Sequence, residues 1–323
     1  MNRSGLRVLA GSRLHFGMLS FGQRGMRQFG GAGVMISSAA LQLRIEESDS
    51  FSTSGPMADR VEQFVMHLSR HADWWQANRP FRVTVETAPP PHAGLGSGTQ
   101  LGMALAMALA GWFDAGPQTA EALARSVGRG KRSAVGVHGA CSGGFIIEGG
   151  KLADDEISPL VSRIAMPEEW RFLLITPSEA AGISGEVEQQ AFQRLPPAPL
   201  EITAALCREL VCELAPSVSC GDFDRFGQSL YRYGQLAGEC FAAWQGGLYA
   251  SPAIERLVTR CREAGARGVG QSSWGPTVFA LCPSQRDAEQ LRDVLQASGE
   301  LKQATTSIAT SDNRGIQIST LSS

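Results

Sequence analysis

The sequence predicts a protein of two domains that each combine strands and helices, and three observations carry that reading. Phe81-Arg82-Val83-Thr84-Val85 alternates with period two, and a glycine-rich stretch at 89–100 joins it to the apolar segment 101–113, so a strand, a loop and a helix follow in order. The pattern resets around Met166-Pro167-Glu168-Glu169, where residues 170–175 begin a new strand, which divides the chain into 1–166 and 167–323. A length of 323 residues, 43% of them hydrophobic, provides a substantial core for two ordinary domains.

Taken in order, residues 6–10 and 41–47 read as strands, the second with Leu41, Leu43 and Ile45 on one face. Between them lie Arg13-Leu14-His15-Phe16-Gly17 and a flexible arm through Gly30-Gly31-Ala32-Gly33-Val34. Residues 61–77 read as a helix ending in Trp74 and Trp75, which suit core or lid packing better than an aromatic cage. Residues 119–127 form a short helix stopped by Gly128, and Phe145-Ile146-Ile147 is a strand ending in Glu148. Beyond the boundary, Leu195-Pro196-Pro197-Ala198-Pro199 breaks the chain, and helices cover 200–214, 223–243 and 252–264. The last has Ser251 as cap, Pro252 at its first position and Gly265 just past its end. A strand at 278–282, a helix from Ser284 to Ala297 and short strands near 304–309 and 315–319 complete the chain.

A formal net charge of -2 argues against a general nucleic-acid or anionic-membrane binder, so any anion site is local. The seven cysteines include no Cys-x-x-Cys pair and no histidines at ligand spacing, which favours reduced, mostly buried thiols over disulfides or zinc. No signal peptide is evident, and the most apolar segment, 101–113, is too short to span a bilayer; the expectation is a cytoplasmic protein. The oligomeric state stays open, with a homodimer as the candidate.

The chemistry concentrates in five places. Gly94, Gly96 and Gly98, with Leu95, Ser97 and Thr99, form a loop whose backbone amides can close around phosphate at a helix N-terminus. Ser97 and Thr99 add hydroxyls, and Thr99 is also a candidate helix cap; the plainer reading is a turn that only lets a buried helix pack closely. Arg13 and His15, two apart on an extended chain, point the same way and could meet an anion together. Arg129, Lys131 and Arg132 sit in a glycine-rich turn and could hold a second phosphate, a bland basic loop being the competitor. Glu186, near the start of a helix, is a candidate for the cleft or merely a dipole partner. Gln271, Ser272 and Ser273 offer donors, and Trp274 a flat face for an aromatic acid.

Pro90-Pro91-His92-Ala93-Gly94-Leu95-Gly96-Ser97 resembles the glycine loop of the GHMP kinase superfamily. Gly98-Thr99-Gln100 is less usual for its kinases and resembles the β-ribofuranosylaminobenzene 5'-phosphate synthase branch. Ser12-Arg13-Leu14-His15 followed by Gly30-Gly31-Ala32-Gly33, and Gly270-Gln271-Ser272-Ser273-Trp274-Gly275-Pro276, resemble two further signatures of that branch. The resemblance implies an α+β fold with a ribosomal-protein-S5-domain-2-like N-terminal half and a ferredoxin-like C-terminal half, the substrates lying in the cleft between them. Small-molecule kinases of the superfamily use an aspartate as base some distance before a Gly-Gly pair. Counting back from Gly143-Gly144, that position is Gly136 here, and His138 is the nearest titratable group and the candidate for proton transfer.

The implied reaction joins 5-phosphoribosyl 1-pyrophosphate to 4-aminobenzoate or 4-hydroxybenzoate, releasing pyrophosphate and carbon dioxide, on a route to a tetrahydromethanopterin-type one-carbon carrier. No cofactor motif is visible, and Mg²⁺ enters the expectation only as a companion of the pyrophosphate. Two alternatives stand beside it. An ATP-dependent kinase would need an acid from elsewhere in the chain, with Glu148 as one source, and a non-catalytic phospholigand-binding protein would bind without turnover.

Overall fold

A computed structural model of the chain describes residues 5–152, 157–178, 182 and 185–321. Its strands are β1 (Gly5–Ser20), β2 (Phe29–Glu47), β3 (Ser52–Ser54), β4 (Phe81–Thr87), β5 (Phe145–Glu148), β6 (Leu160–Ile164), β7 (Arg171–Pro177), β8 (Gly268–Gln271), β9 (Val278–Cys282), β10 (Ala304–Thr310) and β11 (Gln317–Thr320). The helices of the first half are α1 (Ala58–His71), α2 (Ser97–Trp112), α3 (Ala120–Ser126) and α4 (Val135–Ser142). Those of the second half are α5 (Gly185–Arg194), α6 (Leu200–Arg208), a π-helical turn at Glu209–Leu214, α7 (Ala215–Cys220), α8 (Phe223–Glu239), α9 (Ala242–Gln245), α10 (Pro252–Glu263) and α11 (Gln285–Ala297).

Two sheets result. The first runs β11-β1-β2-β4-β3, with β5 paired to the far part of β2 and β6 to β5; the second runs β10-β7-β9-β8. The expected division at 166/167 falls between the last contiguous strand of the first sheet and the first strand of the second, but β11 carries the end of the chain back onto β1. In the second half the order of β7, helices, β8, β9, α11 and β10 is the split β-α-β-β-α-β arrangement of a ferredoxin-like fold.

The segment expected to be a flexible arm is strand instead. β1 and β2 form one long antiparallel ladder from Gly5↔Glu46 to Ser20↔Phe29, interrupted by irregularities between Ala10 and Ser12 and between His15 and Gly17. The glycines are present because the two backbones approach closely. A Cβ on Gly31 would stand 2.2 Å from the Gly17 carbonyl oxygen, and one on Gly33 would stand 2.3 Å from that of Leu14. The ladder therefore spans two cores. Leu6, Val8 and Ala10 with Leu41, Leu43 and Ile45 pack with Val83 and Val85 on α2. Leu14, Phe16, Val34 and Ile36 join Phe145, Phe172 and Phe279 in a second core.

Helix α2 has Leu101, Leu105, Leu109 and Trp112 fully buried, and it is apolar on nearly all sides because sheet and helices enclose it. Trp74 and Trp75 follow α1 and pack on this core, Trp75 meeting Phe113 edge-on at 5.1 Å. α1 ends at His71, earlier than the period suggested, and α8 ends at Glu239. All seven cysteines are unbridged; Cys240, Cys261 and Cys282 are buried, whereas Cys212 and Cys220 are exposed.

Candidate active site

The glycine loop leaves β4 and closes on itself before α2. Gly94 and Gly96 take left-handed conformations, φ +80° and +73°, that side chains with a Cβ adopt reluctantly. Gly96 is the helix N-cap and its carbonyl accepts from the amides of Thr99 and Gln100. Thr99 is thus not the cap: it sits inside the first turn, and its hydroxyl accepts from Nε and Nη2 of Arg129 at 3.3 and 3.1 Å.

Three guanidinium groups line the cleft that the loop borders, those of Arg13, Arg60 and Arg129. They lie where glycine leaves room. A Cβ on Gly96 would stand 2.8 Å from Cγ of Arg13, and one on Gly98 would stand 2.7 Å from Nη2 of Arg60 and 3.4 Å from that of Arg129. The Arg13 amide donates to Leu95 and its Nη1 to the Gly94 carbonyl, which fixes β1 to the loop. Burial lowers both Arg13 and Arg129 to about 10, Arg60 and Arg13 adding to the effect at Arg129, and both remain cationic at neutral pH. Clustered cations beside glycine amides and a helix N-terminus are groups that can attract an anion such as phosphate.

The neighbouring cations separate. Gly130 turns the chain at φ +79°; Lys131 faces solvent, and Arg132 pairs with Glu188 at 2.6 Å and lies over the Phe192 ring. Only Arg129 of the expected trio lines the cleft. His138 is likewise displaced from the role expected of it. It is 3% exposed, its Nε2 lies 2.8 Å from the Ser158 carbonyl oxygen, and it is absent from the cleft lining. Helix phase explains this, since two residues advance about 200° around a helix. Gly136 is the α4 residue that faces the loop: a Cβ there would stand 3.3 Å from Gln100 Nε2 and Thr99 Cγ2. The space that a side chain at position 136 would enter is therefore bounded by Thr99, Gln100 and Arg13.

Glu186 lies in α5, with its side chain outside the described residues. Glu188, two positions on, is the one carboxylate among the described residues lining the cleft. Burial raises its pKa while Arg132, Arg13 and Arg129 oppose the rise. Glu148 is fully buried away from the cleft, accepting from the Ser133 hydroxyl at 2.6 Å and the Ala134 amide at 2.7 Å. Among the described residues the cleft lining holds one carboxylate, Glu188, which Arg132 engages.

The third glycine motif locks β1 to the loop. Ser272 Oγ accepts from the His15 amide at 3.1 Å and donates to the Gly94 carbonyl at 2.8 Å, and the Ser273 amide donates to the His15 carbonyl. Gln271 is also occupied internally: it accepts from the Ala250 amide and donates to the Ser273 carbonyl. Trp274 is held edge-to-face by Phe241 and Phe192, with centroids at 4.7 and 5.8 Å. It separates the arginine cleft from an adjoining chamber walled by Phe16, Phe241, Tyr249 and Phe279. Ser273 and Trp274 line both spaces. His15 lines the chamber; burial, then Arg13, lowers its pKa to about 3, and its buried Nε2 has no hydrogen-bond partner among the described residues. Arg13 and His15 thus serve neighbouring spaces, a consequence of their two-residue spacing along a regular part of β1.

Sequence reasoning missed Arg60 and Glu188. Arg60 belongs to α1, whose register brings it over Gly98 from almost forty positions away, and no local pattern marks it. Glu188 lies two residues from Glu186 in the same helix, and no local pattern marks it.

Comparisons with known proteins agree with this geometry. The pattern described as GHMP kinases N terminal domain matches residues 59–145, and that described as GHMP kinases C terminal matches residues 204–301. A Methanothermobacter thermautotrophicus protein named beta-ribofuranosylphenol 5'-phosphate synthase is 30% identical over 84% of this chain and 86% of its own length. A protein of the same name from Archaeoglobus fulgidus is 28% identical over 97% of this chain and 99% of its own. Among solved structures, mevalonate diphosphate decarboxylase from Staphylococcus aureus superposes with a TM-score of 0.71 over 98% of each chain at 15% identity, a likeness of fold. With the glycine loop, the β1 segment and the third motif meeting at one cleft, these matches establish that the chain belongs to the beta-ribofuranosylphenol 5'-phosphate synthase family, built on the GHMP kinase fold.

Proposed function

We propose that the protein condenses 5-phosphoribosyl 1-pyrophosphate with 4-aminobenzoate or 4-hydroxybenzoate, releasing pyrophosphate and carbon dioxide, as a cytoplasmic step toward a tetrahydromethanopterin-type carrier. The observation that carries it is the adjacency of an arginine-lined anion cleft and an aromatic chamber that share Ser273 and Trp274. The cleft suits the phosphates, with Arg13, Arg60 and Arg129 and the first turn of α2 taking up the charge of the leaving pyrophosphate. The aromatic walls of the chamber match the flat acceptor ring, whose carboxylate-bearing carbon would have to meet the sugar at the boundary where the two spaces share Ser273 and Trp274.

The bond changes balance without a base or an electron-accepting cofactor. The anomeric C–O bond breaks and its electron pair leaves with pyrophosphate. The ring carbon opposite the amino or hydroxyl group forms the new C–C bond, and loss of its carboxyl as carbon dioxide returns the electron pair that restores aromaticity. The ring carbon loses carbon dioxide where a kinase's alcohol would lose a proton, so glycine at position 136 carries no chemical cost for this reaction. Any Mg²⁺ would enter with the pyrophosphate.

The test is release of labelled carbon dioxide from carboxyl-labelled 4-aminobenzoate and 4-hydroxybenzoate by purified protein, with and without phosphoribosyl pyrophosphate. ATP serves as the comparison donor. Release that depends on phosphoribosyl pyrophosphate is expected; ATP consumption against small alcohols with no such release would overturn the reading in favour of a kinase.

A further inference from the structure

We propose that the Glu188 carboxylate stabilises the positive charge that develops at the sugar's anomeric carbon as pyrophosphate departs. This rests on the reading above and assigns a role to a residue that the anion-binding function alone leaves unexplained. A cleft that collects three arginines for an anion gains nothing from a carboxylate, which repels the same ligand.

The simplest account of Glu188 is a counter-ion for the arginines, and the orientation of its ion pair argues against it. Glu188 and Arg132 approach to 2.6 Å, yet the carboxylate lines the cleft and the guanidinium does not; Arg132 lies behind it, over the Phe192 ring. An element built for holding anions would present the pair the other way round. The arrangement instead holds a negative group at the cleft wall, supported from the rear by Arg132 and flanked by Arg13 and Arg129.

The proposed reaction supplies a cationic centre for it. When the anomeric C–O bond breaks ahead of C–C bond formation, electron density leaves with pyrophosphate toward the arginines, and the sugar carbon becomes electron-poor. A fixed carboxylate in the cleft lining, if it meets the sugar carbon, favours that separated charge more than it disfavours the ground state, which is the condition for rate acceleration. No proton moves, so the group acts in its ionised form, the form that the 2.6 Å ion pair with Arg132 favours; burial raises its pKa, and Arg132, Arg13 and Arg129 oppose the rise.

The experiment compares wild type, Glu188→Gln and Arg132→Met, using full-length protein, by calorimetric binding of phosphoribosyl pyrophosphate, by thermal melting and by rate of carbon dioxide release. Glutamine keeps the shape and an oxygen acceptor for Arg132 but removes the charge. The expected result for Glu188→Gln is a fall in kcat on the order of 100-fold. Phosphoribosyl pyrophosphate would bind as tightly or more tightly, and any acid limb in the kcat–pH profile that belongs to this group would vanish. Arg132→Met should shift that acid limb to higher pH, with the rate recovered as pH rises, because Arg132 is the main charge opposing the rise in the Glu188 pKa. A Glu188→Gln protein that binds phosphoribosyl pyrophosphate weakly and melts early would make Glu188 a structural counter-ion and overturn the proposal. Wild type that turns over while Glu188→Gln matches its rate removes Glu188 alone, whereas wild type without phosphoribosyl-pyrophosphate-dependent release removes the function and this role with it.

Discussion

Gly275 stands so close to Gly94 that a Cβ on Gly275 would lie 2.2 Å from the Gly94 Cα. The contact joins the third glycine motif to the phosphate loop, two stretches some 180 positions apart, and Ser272 reinforces it through its bond to the Gly94 carbonyl. A methyl group must therefore force the two backbones apart. Gly275→Ala should destabilise the fold by about 1–3 kcal/mol, the usual cost of overpacking. Scanning calorimetry should show a melting point several degrees lower, and synthase activity should fall more steeply than the fraction of folded protein. An unchanged melting point would mean that the loop and motif are not interlocked.

Gly96 tests the loop's conformation separately from its packing. Its left-handed φ of +73° costs a residue with a Cβ about 1–2 kcal/mol, and the added atom would press on the Arg13 side chain at 2.8 Å. Gly96→Val should leave far-ultraviolet circular dichroism nearly native while turnover drops by about 100-fold, as phosphates and Arg13 lose their places. Retention of normal turnover would sink the assignment of this loop to phosphate.

Arg129 and Lys131 provide an internal comparison, because Arg129 lines the cleft whereas Lys131, across Gly130, is exposed. Arg129→Met should raise the KM for phosphoribosyl pyrophosphate at least 10-fold, the loss of about 1.4 kcal/mol of charge-assisted binding. Lys131→Met should change KM by less than about twofold, as expected of an exposed side chain. Equal effects would restore the view of residues 129–132 as one basic loop.

Much of this was legible in the chain. Glycines at 94, 96 and 98 between a strand and an apolar helix mark the phosphate loop through local backbone chemistry, and Ser251 with Pro252 marks the start of α10 in the same way. The features that escaped depend on distance or on phase. The glycine run at 30–33 looked like a flexible arm because nothing local says that it will pair with residues 14–18, where the absence of side chains lets the strands touch. His138 is close to Gly136 along the chain, but the helix turns it away from the cleft and toward the Ser158 carbonyl. Glu188 and Arg60 reach the cleft only through tertiary packing, which no window of neighbouring residues encodes.

His15 offers a test that reads burial through pH. Its imidazole is enclosed in the chamber, and burial followed by the charge of Arg13 lowers its pKa to about 3 from 6.5. Between those two values the unfolded chain binds a proton that the folded chain does not, so stability from this group rises with pH across the interval and is lost as pH falls below about 6.5. Going from about pH 7.5 to about pH 5 should therefore cost roughly 2 kcal/mol through His15 alone. His15→Gln has no such proton to bind and should lack this component, although it forfeits the imidazole's packing against the chamber. Urea unfolding of both proteins at the two pH values isolates the effect as a difference of differences, in which contributions from other groups cancel. Identical pH dependence in the two proteins would show that the histidine titrates normally in the folded state, and hence that water reaches the chamber wall beside Trp274.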